Sequence, residues 1–322
     1  MQAQLLLSPA SHPSLGENIN GPSLVRVPDW VPNALGRYYL YFAHHQGSHI
    51  RLAYADEVMG PYTVYAPGVM PLVQSGFDTG PLELENIDRP FILNLIEKHG
   101  ADVILPFFPP HVASPDVHVL DDAREIRMYY HGQVADGRQL TRVATSSDGL
   151  SFDVQPGFLG NNYFRVFRHD GAWYALSHEG GTINRSVDGL SFEAGPAIGD
   201  KDMRHTALRR TGETSFEVYW SRVGDTPEHI LVSTLDVSGD WRAWQIGPGT
   251  SVRRPQHDWE GADLPLAASR TGFAMREVNE LRDPGIFEEN GHTWLLYSVR
   301  GEAGIGICEL PPQGSPNSPR SG

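Results

Sequence analysis

Residues 163–194 read YFRVFRHDGAWYALSHEGGTINRSVDGLSFEA. A short strand starts at Tyr163-Phe164-Arg165-Val166, a second, aromatic strand follows at Trp173–His178, and a third at Thr182–Ser186. The turn Val187-Asp188-Gly189 then leads to a fourth strand at Phe192–Ala194. Asp-Gly is a strong hairpin signal because both residues tolerate positive φ.

The same unit recurs in both directions along the chain. First strands begin at Gly21-Pro22-Ser23-Leu24, Ser114-Pro115-Asp116-Val117, Arg204-His205-Thr206-Ala207 and Arg282-Asp283-Pro284-Gly285. Their partners are Tyr39–His44, Ile126–His131, Phe216–Ser221 and Thr293–Ser298, followed by third strands at His49–Ala55, Leu140–Ser146, Ile230–Leu235 and Gly304–Leu310. Fourth strands are expected at Tyr62–Tyr65, Phe152–Gln155 and Ala243–Ile246. A unit of this size cannot bury its own apolar face and must stack on its neighbours. Five units predict an all-β, five-bladed β-propeller. The fifth has no fourth strand of its own, so Gln2–Leu7 is expected to fill that place and close the ring.

Residues 1–310 are expected to form one propeller domain with insertions at 66–110 and 247–280, and Ile87–His99 within the first has helical spacing. Residues 311–322, rich in Pro, Ser and Gly, are expected to be disordered. With 34 Gly and 25 Pro, the composition suits many short strands and turns. The formal charge of −14 argues against nucleic acid and anionic membrane surfaces. The lone Cys308 excludes an internal disulfide framework. There is no apolar run long enough to span a membrane, and Met1–Leu7 lacks a signal peptide's basic region, so a cytoplasmic location is expected.

In an antiparallel blade the start of the first strand and the end of the second share one rim. That rim collects Asn20, Asp116, Arg165, Arg204 or His205, and Arg282 or Asp283. It also collects His44, His131, His178, Ser221 and Ser298, with Tyr130, Trp220 and Tyr297 one residue earlier in three of them. Aromatic groups with polar tips, carboxylates, Arg and His at one concave mouth fit sugar recognition. P-loop, dinucleotide and Gly-x-Ser-x-Gly patterns are absent. Arg165, Arg204 and Arg282 match an acidic sugar or a phosphate, or form structural pairs with carboxylates.

Asn20-Gly21-Pro22, Ala113-Ser114-Pro115-Asp116-Val117-His118, the Asp-Gly-Leu-Ser-Phe turns at 148–152 and 188–192, and Arg282-Asp283-Pro284-Gly285-Ile286-Phe287 resemble the five-bladed propeller glycoside hydrolases. These are families 43 and 32, with family 130 more distant. The resemblance implies an exo-acting, inverting glycosidase of a plant- or marine-type oligosaccharide. A base Asp, a second Asp that orients and tunes, and an acid Glu would divide the work. Asp116 matches the second Asp, while Asn20 stands where the base is expected and Asp283 is a candidate to replace it. Glu260 in Trp259-Glu260-Gly261 is a candidate for the acid, with Glu280, Glu179 and Glu85 as rivals. Substrate contacts are expected from Asn20, His44, His131, Arg165, His178, Glu179, His205, Trp220 and Arg282. The resemblance requires no cofactor and allows a central Ca²⁺. A carbohydrate-binding propeller without turnover and a phosphate-dependent phosphorylase are the alternatives.

Overall fold

The computed structural model describes residues 2–43 and 47–312. Five antiparallel sheets stand around one axis as five blades. Their innermost strands, in chain order, are Asn20–Arg26, Val112–Leu120, Arg165–His169, Met203–Arg210 and Arg282–Glu289. The fifth sheet is completed by the first strand of the chain. Ala3–Leu7 pairs with Ile305–Glu309, with Ala3 opposite Cys308 and Leu7 opposite Ile305, so the two ends of the chain share one blade as the sequence predicts.

The apolar cores lie between blades, and the period of two along each strand supplies both sides. In blade 1, Tyr39 and Tyr41 pack toward blade 2, while Tyr38, Leu40 and Phe42 pack toward blade 5. Blade 4 divides in the same way: Val218 and Trp220 face blade 3, and Tyr219 faces blade 5.

Polar devices repeat along the same seams. Tyr41 donates its hydroxyl to the Gly149 carbonyl of blade 2 at 2.9 Å, and Tyr129 does the same to Gly189 of blade 3 at 2.9 Å. Both glycines have positive φ, and a Cβ on either would lie within 2.8 Å of that tyrosine hydroxyl. Near the axis, Val117 N–H donates to Ser23 Oγ at 3.0 Å and Val166 N–H donates to Asp116 Oδ2 at 2.8 Å. Ser23 and Asp116 hold the same register, opposite Tyr41 and Tyr129. Each is a clasp from one blade's inner strand to the next.

Two elements differ from the sequence reading. The outer strand of blade 4 is Thr250–Arg253, not Ala243–Ile246. Trp241 and Trp244 are drawn into the core between blades 3 and 4, so that stretch wraps round it and begins as a 3₁₀ turn at Trp241–Ala243. The helix of the first insertion is Pro90–His99, because Pro90 suits the first helical position and sets the start there. The insertion has its own small core of Leu82, Ile87, Ile92 and Ile104. Residues 313–322, expected to be disordered, lie outside the described residues.

Candidate active site

Four inner strands have a left-handed residue within two positions of their first residue, at Gly21, Ser114, Tyr163 and Asp283, with φ of 63, 50, 64 and 49°. Pairing in blades 1, 2, 4 and 5 slips by a bulge at this level, between Asn20 and Ser23, Ala113 and Asp116, Met203 and Thr206, and Arg282 and Gly285. For the three that are not glycine this conformation costs on the order of 1–3 kcal/mol each. Bulges re-aim side chains, and here they gather polar groups at the rim where these strands start.

Two guanidinium groups and three carboxylates form the centre of the group. Arg204 grips Glu228 through Nε at 2.8 Å and Nη2 at 3.2 Å. Arg282 holds Glu280 through Nε at 2.8 Å and Glu302 through Nη1 at 3.1 Å. Asn18 and Asn20 both donate to Glu302 Oε2, at 2.7 and 3.2 Å, and Ser221 donates to Glu228 at 2.7 Å. Burial and the neighbouring Glu228 charge push the Glu280 carboxyl above its usual range, against the pull of Arg282. Beside this lattice Asp283, fully buried, accepts from Ser298 Oγ at 2.8 Å and pairs with His205 Nδ1.

Tyr163 stands edge-on to three imidazoles, with ring centres 3.8 Å from His205, 4.4 Å from His131 and 5.5 Å from His178. Burial pushes its phenol up to about 12. Burial and the charges of Arg204 and Arg89 hold His178 down at about 4, so it is neutral at pH 7. Tyr163, His178 and Arg204 reach a cavity of about 290 Å³ whose other sides include Phe91, Phe107, Phe273 and Met275 from the two insertions.

Of the residues expected from sequence, Asn20, His131, His178, His205, Glu280, Arg282 and Asp283 come together in this group. His44 lies outside the described residues. Asp116 serves the clasp to Val166 and pairs with His118 at 2.9 Å. Burial opposes its ionisation, but His118, the Arg165 charge and the Val166 N–H outweigh that and lower its pKa. Arg165 is buried beside it, donating to the Ser114 and Phe164 carbonyls at 3.3 and 3.2 Å.

Glu260 is fully buried elsewhere, bound to Arg253, Tyr297 and the N–H groups of Gln256 and His257. Glu179 is exposed on a turn and accepts from Asn161 at 3.3 Å. Trp220 faces the core between blades 3 and 4, where its indole N–H donates to Ser233. It sits one residue from the rim residue Ser221, and one residue along a strand reverses the face.

Glu228, Glu302 and the side chain of Tyr163 escape the sequence reading. Glu228 and Glu302 lie in the loops joining second to third strands, which open on the same rim as the second-strand ends. Their signal is that topology rather than a motif. Arg204 and Arg282 direct donors to these carboxylates and to the Gly272 carbonyl. A Ca²⁺ asks for six to eight oxygen ligands. Among the described residues no grouping of three or more acidic, His or Cys side chains is spaced for a metal ion.

No family model matches the chain. An uncharacterized protein of Acanthamoeba polyphaga mimivirus is 32% identical over 321 residues, covering 91% of this chain and 84% of that protein. Among solved structures, a GH43 β-xylosidase/α-arabinofuranosidase from a compost microbial metagenome, in complex with xylotriose, matches with a TM-score of 0.56. It is 13% identical, over 98% of this chain and 95% of that one. A GH43 enzyme of Xanthomonas citri, also complexed with xylotriose, matches at 0.56 with 12% identity over 96% and 89%. At such identities the likeness is one of fold. The chain belongs to the family of the mimiviral protein, and it has the five-bladed β-propeller fold of the family-43 glycoside hydrolases.

Proposed function

We propose that the protein is an exo-acting, inverting glycosidase that removes a terminal neutral sugar. The observation that carries this reading is the pair of unlike carboxyls at one rim. Glu280 has a raised pKa and retains its proton more readily than an ordinary glutamate. Asp283 is fixed as an acceptor by Ser298 and His205. In the proposed reaction Glu280 gives its proton to the glycosidic oxygen as the C–O bond breaks. Asp283 takes a proton from a water attacking the anomeric carbon on the opposite face. The fold of the neighbouring glycosidases supports the class, and the pairing of Arg204 and Arg282 with buried carboxylates favours a neutral substrate over an acidic one.

The test is monosaccharide release from a panel of glycosides, with the first-formed anomer read by proton NMR. Asp283→Asn should lower kcat by about 10²–10⁴-fold. Full activity in both Asp283→Asn and Glu280→Gln removes these residues from the chemistry. A second reading, sugar binding without turnover, is supported by the anchoring of Glu280 on Arg282. It predicts measurable affinity for a sugar that is never released from any glycoside.

A further inference from the structure

The cavity at the propeller mouth has two chemically different halves. Its floor comes from the blades and includes Gln139, Asn162, Tyr163, His178 and Arg204. Its wall comes from the two insertions and includes Phe91, Phe107, Phe108, Phe273 and Met275. Three of those wall residues remain open to solvent: Phe91 is 51% exposed, Phe107 43% and Met275 69%. The first insertion buries Ile92 and Ile104 in its own core, against which Phe108 packs, while Phe91 and Phe107 take no part in that packing. Apolar side chains grouped at the lip of a cavity, above a polar floor, mark a surface that a ligand covers.

We propose that the substrate is an amphiphilic glycoside, with its sugar on the blade-derived floor and an aromatic or fused-ring aglycone against Phe91, Phe107 and Met275. The inference rests on the glycosidase reading for the placement of the sugar, and it adds the chemistry of the leaving group. A second sugar in that place would set most of its hydroxyls against Phe91, Phe107 and Met275, with only Arg89 and Thr271 of the two insertions to partner them, and unpaired polar groups are costly to bury. At about 290 Å³ the cavity lies at the small end of ligand sites, which suits one sugar and one ring system rather than a chain.

Two binding measurements test this on the full chain, with wild type set against a Phe107→Ser/Met275→Ser double variant. Calorimetric titration with 2-naphthol should show saturable binding that weakens about tenfold in the variant, as expected for lost apolar contact. The 2-naphthyl 1-thioglycoside of the sugar released most readily should bind about tenfold tighter than the methyl 1-thioglycoside, and the variant should erase that ratio. A thermal unfolding scan of the variant confirms that the fold is retained. Equal affinities for the naphthyl and methyl compounds in wild type, or naphthol binding that the variant leaves unchanged, overturn the inference. Naphthol binding that follows the prediction in a protein that cleaves no glycoside keeps the apolar site and sinks the glycosidase reading.

Discussion

Glu260 and Glu280 are both buried glutamates, each paired with an arginine through a 2.8 or 2.7 Å Nε contact, and both lie at or near the second insertion. Their surroundings are opposite. Glu260 receives Arg253, the Tyr297 hydroxyl and two backbone N–H groups, so donors converge on both oxygens. Glu280 is held by Arg282 on one oxygen, Oε2, and has Glu228 as a like-charged neighbour. A carboxylate supplied with donors is held ionised, while one facing a like charge in a dry site is poised to hold a proton. Pairing with arginine does not separate the two; the count and sign of the remaining neighbours does.

The largest effect that probes this contrast is on catalysis. Glu280→Gln should lower kcat by about 10²–10⁴-fold on substrates with poor leaving groups, with less loss on nitrophenyl glycosides, which need little protonation. The pH profile should change as well. A general acid works only while protonated, so wild-type kcat should fall as pH rises through the raised pKa of Glu280, and the variant should lack that limb. A wild-type profile with no such limb breaks the assignment. The same raised pKa means that Glu280 contributes stability below its ordinary pKa and loses it as pH rises through the folded value.

Glu260→Gln should act on stability instead. The amide would set N–H against N–H at Gln256 or His257 and leave Arg253 buried without its charge partner, at a cost of about 3–5 kcal/mol. Urea unfolding at pH 7 reads this as a lower midpoint. Loss of activity in a variant that keeps its wild-type midpoint would reverse the roles of the two glutamates.

The scaffold of this contrast was readable in the sequence, and its detail only in part. Blades could be read because second strands such as Tyr38–Ala43 are apolar on both faces, and because Asp148 and Asp188 mark turns of one kind. Aligning the units brought Asp283, His205, His131 and Arg282 to one rim, since the register of an inner strand fixes its height on the axis. Glu228 and Glu302 were not readable, because they sit in loops whose lengths differ from blade to blade. Nor could motif context distinguish Glu260 from Glu280, because the donors to Glu260 come from Arg253, Tyr297 and local backbone that only folding brings together.

Asp116 provides an intermediate case. It resembles a catalytic aspartate in sequence, yet in the fold it is a supplied carboxylate, bound by His118 and the Val166 N–H. Asp116→Asn should therefore cost on the order of 1–3 kcal/mol of stability at pH 7. Its pKa is lowered in the fold, so its contribution is present above the ordinary aspartate pKa and lost as pH falls through the folded value. Wild type and variant should converge in urea midpoint toward that acidic limit. A variant with unchanged stability and no turnover would return Asp116 to the catalytic group.

Ser23 isolates what the clasp is worth without the charge. It holds the register of Asp116 one blade earlier and accepts from Val117 N–H at 3.0 Å. Ser23→Ala removes one neutral acceptor from a partly buried N–H, which should cost about 1 kcal/mol. With no titrating group at the position, the loss should be the same at pH 7 and in acid. If the clasp is geometric and the charge at Asp116 only strengthens it, the two variants differ in size and in pH dependence but both weaken the inner ring. If Ser23→Ala leaves the unfolding midpoint unchanged while Asp116→Asn lowers it, the contact with His118 rather than the blade-to-blade hydrogen bond is what stabilises the seam.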